Sequence, residues 1–255
     1  MKGMELPRYF EEIGARLVVQ RAERLRSRPY ELNIAADQFG EHFKLDMSSA
    51  ETEFKVLQLR KHERHLLLFV GGTPKERLLC GHDERHWFVA AVGDPVSTVT
   101  AARRALLPRQ LRDRGLNNAL LKSRRNRVFK RQGEWFFVPV TDARLKAAIG
   151  ASPIHGREPI QRGRSKPHLC DELVRFGGTA VVLYRGREYS QQEWAERQRD
   201  PGFRIRGRVE GRVKDMSVYV RGGIKHRDHA TIVLHDWHQV LLNGEIVSSN
   251  VAFYD

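Results

Sequence analysis

The sequence contains only two cysteines, Cys80 and Cys170, among its 255 residues. Two cysteines are too few for the disulfide framework on which small secreted domains depend. No apolar run approaches the roughly 18 residues that a membrane-spanning helix requires, and the first residues lack the apolar core of a signal peptide. The sequence therefore predicts a cytoplasmic protein with no membrane partner, in which both cysteines are reduced thiols or metal ligands.

Several short motifs that identify enzyme classes are also absent. The sequence has no GxSxG, no GxxxxGK[ST], no HExxH and no CxxC. These motifs identify serine hydrolases, P-loop proteins, zinc peptidases and thiol oxidoreductases. The sequence alone leaves open whether the chain is an enzyme, and any catalytic hypothesis must rest on local groups of reactive residues.

Acidic residues are scarce relative to basic ones. The chain has 31 Asp and Glu against 45 Lys and Arg, which gives a formal net charge of +14. Such an excess predicts a polyanionic partner, DNA or RNA before an acidic membrane surface. The leading hypothesis is therefore a cytoplasmic nucleic-acid-binding protein, of a mobile-element or phage-related system, that mainly contacts the phosphate backbone.

The densest basic stretch runs from Arg103 to Arg131, with Asp113 as its only acid. Lys and Arg side chains in such a run can neutralise phosphates without reading bases. The predicted nucleic-acid-binding residues are Arg103, Arg104, Arg124, Arg125, Arg127, Lys130 and Arg131.

The hydrophobic pattern predicts an α+β fold, mainly antiparallel β-sheet with short helices packed on one face. Alternation predicts strands at 30–36 and 41–47, and a meander at 52–92 whose first strand has a bulge or a change of buried face near Val56–Leu57. Helices are expected after Ser97, over 142–149, and over 168–176, where a double glycine follows. Asn243–Gly244 predicts a type I′ hairpin near the end of the sequence.

Residues 151–167 mix Pro, Gly, Ser and basic residues without an apolar period. Such a composition predicts a linker or a long basic loop. It would separate residues 1–150, a β-meander with a basic helical segment, from a smaller α+β part over 168–255 that ends in a hairpin. The two parts are also compatible with a single packed domain.

One segment gathers more acid–base and metal-binding chemistry than any other. Residues 226–238 contain four histidines and two aspartates around a short apolar run. Imidazole and carboxylate groups together bind Zn²⁺ or Mn²⁺, or form a base with its orienting acid. The alternative function is thus a metal-dependent hydrolase or nuclease with His226, Asp228, His229 and His238 as catalytic residues. An interaction module without activity is the remaining alternative.

Both cysteines have a histidine two positions away. Cys80 precedes His82, and His168 precedes Cys170, so each pair would share one face of an extended segment. Two cysteines and two histidines form a suitable ligand set for structural zinc. The sequence therefore also suggests a zinc site of Cys80, His82, His168 and Cys170 that would join the two parts of the chain.

Overall fold

The computed structural model describes residues 5–22, 25, 28–48, 51–163, 165–246, 248 and 250–251. The α+β prediction is confirmed, because 46% of the chain is strand, mostly antiparallel, and 18% is helix. The first helix, α1 (Leu6–Glu12), packs beside a three-stranded sheet of β1 (Leu17–Arg21), β2 (Tyr30–Asp37) and β3 (Gly40–Met47). The strands predicted at 30–36 and 41–47 are therefore confirmed.

A four-stranded antiparallel meander follows and matches the prediction for residues 52–92. Its strands are β4 (Phe54–Arg60), β5 (His65–Val70), β6 (Glu76–Asp83) and β7 (His86–Ala91). The register of β4 on β5 shifts between Val56 and Gln58, which agrees with the bulge expected near Val56–Leu57. Three short helices then cover residues 99–122: α2 (Val99–Ala105), α3 (Arg109–Arg112) and α4 (Asn118–Lys122).

The largest sheet has six antiparallel strands. The chain enters it through β8 (Lys130–Gln132) and β9 (Trp135–Pro139), and α5 (Ala143–Gly150) follows. The sheet continues with β10 (His155–Ile160) and β11 (His168–Phe176). A small module of β12 (Thr179–Tyr184), β13 (Arg187–Ser190), α6 (Gln191–Arg199) and β14 (Val209–Lys214) intervenes. The chain then completes the six-stranded sheet with β15 (Ser217–Lys225) and β16 (Ile232–Leu242).

The strand order of this sheet is β10-β11-β15-β16-β9-β8. It combines strands from both sides of residues 151–167, and β10 lies within that segment, which was predicted as a linker or loop. The sequence-distant pairings in this sheet are those of β11 with β15 and of β16 with β9. The two predicted parts of the chain therefore share one sheet.

The helix predicted over 168–176 is wrong, because these residues form β11 in the middle of that sheet. His168 and Cys170 are buried whereas Leu169 is exposed, which is the alternation of a strand. Gly177 and Gly178 do have positive φ angles, 75° and 94°. They make the turn between β11 and β12 rather than ending a helix.

The hairpin predicted at Asn243–Gly244 is also wrong. After β16 the chain crosses to the first half of the molecule, where the Gly244 N–H donates to Leu106 O and the Ile246 N–H donates to Ala91 O. A Cβ on Gly244 would lie 2.8 Å from Ala105 O. The glycine therefore serves a close backbone approach and not a type I′ turn.

This crossing segment joins the hydrophobic core of the first half. Val251 is buried there with residues of the first two sheets and forms an isolated parallel bridge with Leu32. The side chains of Ser248 and Asn250 both donate to the carboxylate of Glu76, at 2.6 and 2.7 Å. Residues 243–251 therefore hold the six-stranded sheet against the N-terminal sheets.

Candidate metal centre

Three histidines meet at one end of the six-stranded sheet. His168 begins β11, and His226 and His229 lie in the turn between β15 and β16. The register of β11 on β15 pairs Leu169 with Lys225, which brings His168 beside His226. One nitrogen from each ring lies within 4.8 Å of the other two. This cluster, His168, His226 and His229, is the only group of three potential metal ligands found within the described parts of the chain.

The three rings form a stack. The ring centroids of His168 and His226 are 4.2 Å apart, and those of His226 and His229 are 4.7 Å apart. The ring planes differ by 25° and 28° in these two contacts. Three charged imidazolium rings at such distances would repel one another, so the stack requires neutral rings.

The environment of the cluster keeps its histidines neutral. Burial, and to a smaller extent the neighbouring histidines, lower the pKa of His168 to about 3 and that of His229 to about 4. Burial also lowers the pKa of His226. Neutral imidazole is the form that binds a metal ion. At neutral pH these side chains could therefore accept an ion without first losing a proton to solvent.

Several ring nitrogens of the cluster lack a hydrogen-bond partner. Both nitrogens of His168 and Nε2 of His226 are buried without a partner, and Nδ1 of His229 makes no hydrogen bond although a carboxylate oxygen of Glu84 lies 3.4 Å away. Buried polar atoms in folded proteins nearly always have a partner, and an unpartnered one can indicate an ion or water. The donor set of three imidazoles suits zinc and other divalent transition metals.

The geometry also defines what must change when an ion binds. Zn–N bonds of about 2.0–2.1 Å in a tetrahedral site hold two nitrogens about 3.3 Å apart. The widest separation, within 4.8 Å here, must therefore close by up to about 1.5 Å. The Asp228 N–H donates to Nδ1 of His226 at 3.2 Å, so the neutral ring carries its proton on Nε2. An ion bound at Nε2 would require that proton to move to Nδ1.

Glu84 reaches the cluster from the other half of the molecule. It lies in the turn between β6 and β7, with a positive φ of 43°. Its Oε2 is 3.4 Å from Nδ1 of His229, and its Oε1 is 3.0 Å from Nη1 of Arg124. A carboxylate behind a metal-binding histidine fixes the ring orientation and raises the basicity of the ligand.

A cavity of about 660 Å³ lies beside the cluster. His229 and Asp228 form part of its wall, together with the β6–β7 hairpin, the β8–β9 hairpin and residues of α2 and α4. Its size is in the range of pockets that bind small molecules. An ion held by the cluster would therefore be next to a space that can admit a substrate.

The structure brings together only some of the catalytic residues predicted from the sequence. His226 and His229 lie in the cluster, and Asp228 lies between them in the turn. The Asp228 carboxylate contacts Nζ of Lys166 at 2.5 Å, and this contact lowers its pKa. His238 is buried inside β16, its Nδ1 is 2.7 Å from Asp236 O, and it belongs neither to the cluster nor to the cavity wall.

The residues of the suggested Cys–His zinc site are not gathered. Cys80 lies in the core of the first half, and Cys170 lies in the core under the six-stranded sheet. The His82 ring contacts Trp87 at 4.9 Å, whereas His168 belongs to the histidine stack. Burial raises the pKa of both thiols, which opposes formation of the thiolate that zinc binds.

Most of the predicted nucleic-acid-binding residues have partners within the protein. Arg103 contacts Glu63 at 2.5 Å, and Arg124 contacts both Asp83 and Glu84. Three more donate to backbone carbonyl oxygens: Arg104 to Leu116, Lys130 to Val233 and Arg131 to Gly133. Arg125 and Arg127 are exposed.

Sequence reasoning missed the assembly of this site. His168 was assigned to the cysteine set, and neither the contact of Glu84 with His229 nor the cavity was expected. The available signal was the spacing of His168 and Cys170, which places both side chains on one face of an extended segment. The partner strand and its register depend on contacts between distant residues, which local patterns do not specify.

Among the described helices, none combines the length and the apolar character needed to cross a membrane. Comparisons of the chain with protein-family models, with curated proteins and with solved structures find no match.

Proposed function

We propose that the protein is a metal-dependent hydrolase whose ion is held by His168, His226 and His229. One observation carries this proposal: three neutral imidazoles with unpartnered buried nitrogens meet beside a cavity large enough for a substrate. Catalytic zinc sites commonly have three protein ligands and leave one position for water. Zn²⁺ is the ion proposed for this donor set, because imidazole suits zinc, copper, iron and nickel whereas Mn²⁺ prefers oxygen ligands.

The expected chemistry follows from that arrangement. A divalent ion lowers the pKa of its bound water from about 15.7 to about 7, so that hydroxide is available at neutral pH. Hydrolysis adds one water across the substrate bond, with the hydroxyl on one product and the proton on the other. The carboxylates of Glu84 and Asp228 lie in the wall of the same cavity and are candidates to accept the proton of the attacking water.

Metal binding is the first test. The full chain, stripped with a chelator and dialysed, is titrated with Zn²⁺ against a chromogenic competitor. Wild-type protein should bind one equivalent, and His229→Ala and His168→Ala should each weaken binding by at least about 10-fold. His235→Ala is the matched control, because His235 is exposed on β16 outside the cluster. Absence of zinc binding by the wild type, or equal binding by His229→Ala, contradicts the proposal.

Hydrolysis is the second test. Zinc-loaded and manganese-loaded protein is assayed with p-nitrophenyl acetate and with bis(p-nitrophenyl) phosphate, which report ester and phosphodiester cleavage. The proposal expects cleavage that the chelator abolishes and that His229→Ala lacks. A protein that binds zinc but cleaves no ester, phosphodiester or peptide would hold its metal for a structural reason.

We propose nucleic-acid binding as a second candidate function, at a different surface from the one expected. In the small module, Arg204, Arg206, Arg208 and Arg212 are exposed, and Glu210 is the only acid between residues 204 and 214. The Arg208 side chain is 84% exposed. Arg208 and Arg212 contact Glu210 and Arg204 donates to Pro201 O, but these side chains stay exposed. Arg103 and Arg124 of the earlier run are mostly buried by their partners, so the arginines of the small module are better placed to contact phosphates.

Salt-dependent binding of a labelled duplex and of single-stranded RNA tests this candidate. The triple variant R204A/R206A/R208A should reduce the slope of log K against log salt by about 2–3, since each phosphate contact contributes about 0.7–0.9. The double variant R125A/R127A removes two exposed cations of the earlier run and measures their contribution to the same slope. Binding that is absent at low salt removes this candidate, and inertness in all three assays would favour an interaction module.

A further inference from the structure

The charges that line the cavity are already paired. Six Lys or Arg side chains lie in its wall, and each contacts a carboxylate of the same wall. The pairs are Arg103 and Lys122 with Glu63, Arg124 and Arg131 with Asp83, Arg162 with Glu245, and Lys166 with Asp228. An anionic substrate would therefore compete with existing ion pairs for every cation that the described part of the wall offers.

One carboxylate of the wall, that of Glu134, has an oxygen without a partner. Glu134 lies in the turn between β8 and β9 and is only 7% exposed. Its Oε1 is buried and has no hydrogen-bond partner. The backbone of Glu134 is held in place, because its carbonyl oxygen accepts from the Asn243 N–H at 2.9 Å. The wall thus contains a fixed carboxylate oxygen without a donor.

A second unpartnered acceptor lies on the same hairpin. Oε1 of Gln132, which is 1% exposed, also has no partner, whereas its Nε2 donates to Ala230 O at 2.7 Å. Ala230 follows His229, so the hairpin connects the wall at Glu134 to the segment that carries the histidine cluster. A group bound at Glu134 would therefore lie in the same cavity as the candidate ion.

Leaving a carboxylate oxygen buried without a donor is costly, and a charged N–H donor removes that cost most effectively. We propose that the substrate carries a protonated amine or guanidinium group that binds the carboxylate of Glu134 in the cavity. Calling the bound molecule a substrate rests on the proposed function, but binding at Glu134 does not require the ion. The cleaved bond would be the part of the molecule nearer His229.

Calorimetric titration of the full chain with butylguanidine tests the proposal, and butylurea is its neutral counterpart of nearly the same shape. The wild type should bind butylguanidine at least about 10-fold more tightly than butylurea, as expected for a charge-assisted hydrogen bond. Glu134→Gln should remove that difference. Glu188→Gln is the control, because Glu188 is an exposed residue of β13 that contacts Lys214. Inorganic phosphate should show no saturable binding in the cavity.

The outcomes are distinct. Equal affinity of the wild type for the two probes, no binding of butylguanidine at millimolar concentration, or unchanged binding in Glu134→Gln overturns the inference and leaves water as the partner of Glu134. The two-probe comparison on the wild type decides the matter if Glu134→Gln does not fold. Zinc binding without guanidinium binding overturns this inference alone, and guanidinium binding without zinc binding overturns only the proposed function.

Discussion

Acidification should destabilise the metal-free protein through the histidine stack. In an unfolded chain an imidazole has a pKa near 6.5, so it takes up a proton between pH 7 and pH 5. Folded His168 does not, because burial lowers its pKa to about 3. The unfolded state thus binds more protons over this interval, and the free energy of unfolding falls as the pH falls. The loss begins near pH 6.5 and continues towards pH 3.

The magnitude follows from the two pKa values. For one histidine with pKa 6.5 when unfolded and about 3 when folded, lowering the pH from 7 to 5 costs about 2 kcal/mol. His229, whose folded pKa is about 4, adds about the same amount. Replacement of His168 by leucine should therefore make the pH-dependent loss about 2 kcal/mol smaller than in the wild type.

Urea unfolding at pH 7 and pH 5, with a chelator present, measures this difference. The control variant His235→Gln changes an exposed histidine of β16 and should lose as much stability as the wild type. If His168→Leu loses as much stability as the wild type on acidification, the buried neutral state of His168 is refuted.

Two further predictions concern the cluster and its support, and a third concerns the pairing of β5 with β6. Zinc at 100 times its dissociation constant should raise the free energy of unfolding by about 2.7 kcal/mol, measured by urea unfolding with and without chelator. Glu84→Gln should weaken zinc binding by about 10-fold in the competition titration because Glu84 supports His229, whereas Glu41→Gln should leave it unchanged; equal values would argue against that support. Gly81→Ala would place a Cβ 2.6 Å from Nε2 of His65 and should lower the free energy of unfolding by about 1–3 kcal/mol. In a double-mutant cycle, His65→Ala should recover part of that loss, and strict additivity of the two changes would refute the clash.

Local patterns in the sequence predicted much of the fold. The strands over residues 30–47, the meander at 52–92 and the irregularity near Val56 are confirmed, because period-two alternation and turn glycines are local signals. The capping box that begins α6 is another local signal, with Ser190 and Glu193 each bonding the other's backbone. The helix predicted over 168–176 and the hairpin predicted at Asn243–Gly244 are wrong, and in both a glycine has another role than expected. Gly177 turns the chain between strands, and Gly244 allows a close backbone approach.

The candidate site was only half predictable. The histidines at 226 and 229 stand out in the sequence because they are close together, and the structure places both in the cluster. The third ligand comes from β11, and only the pairing of Leu169 with Lys225 makes it a neighbour. Net charge could not indicate which cations have partners within the protein, for a similar reason. The number of cations is visible in the sequence, but the carboxylates that engage them, such as Glu63 and Asp83, come from other strands.

The crossing segment 243–251 has a consequence for the order in which the molecule can be made. The ribosome releases the N-terminal sheets first, yet Val251 belongs to their core and Asn250 accepts the Leu32 N–H. Until residue 251 emerges, Leu32 on the edge strand β2 lacks its bridge partner, and Glu76 lacks two of its hydrogen-bond donors. The first half of the nascent chain therefore completes its core only after residue 251 has been synthesised, and truncation of the chain within 243–251 would leave both halves without these contacts.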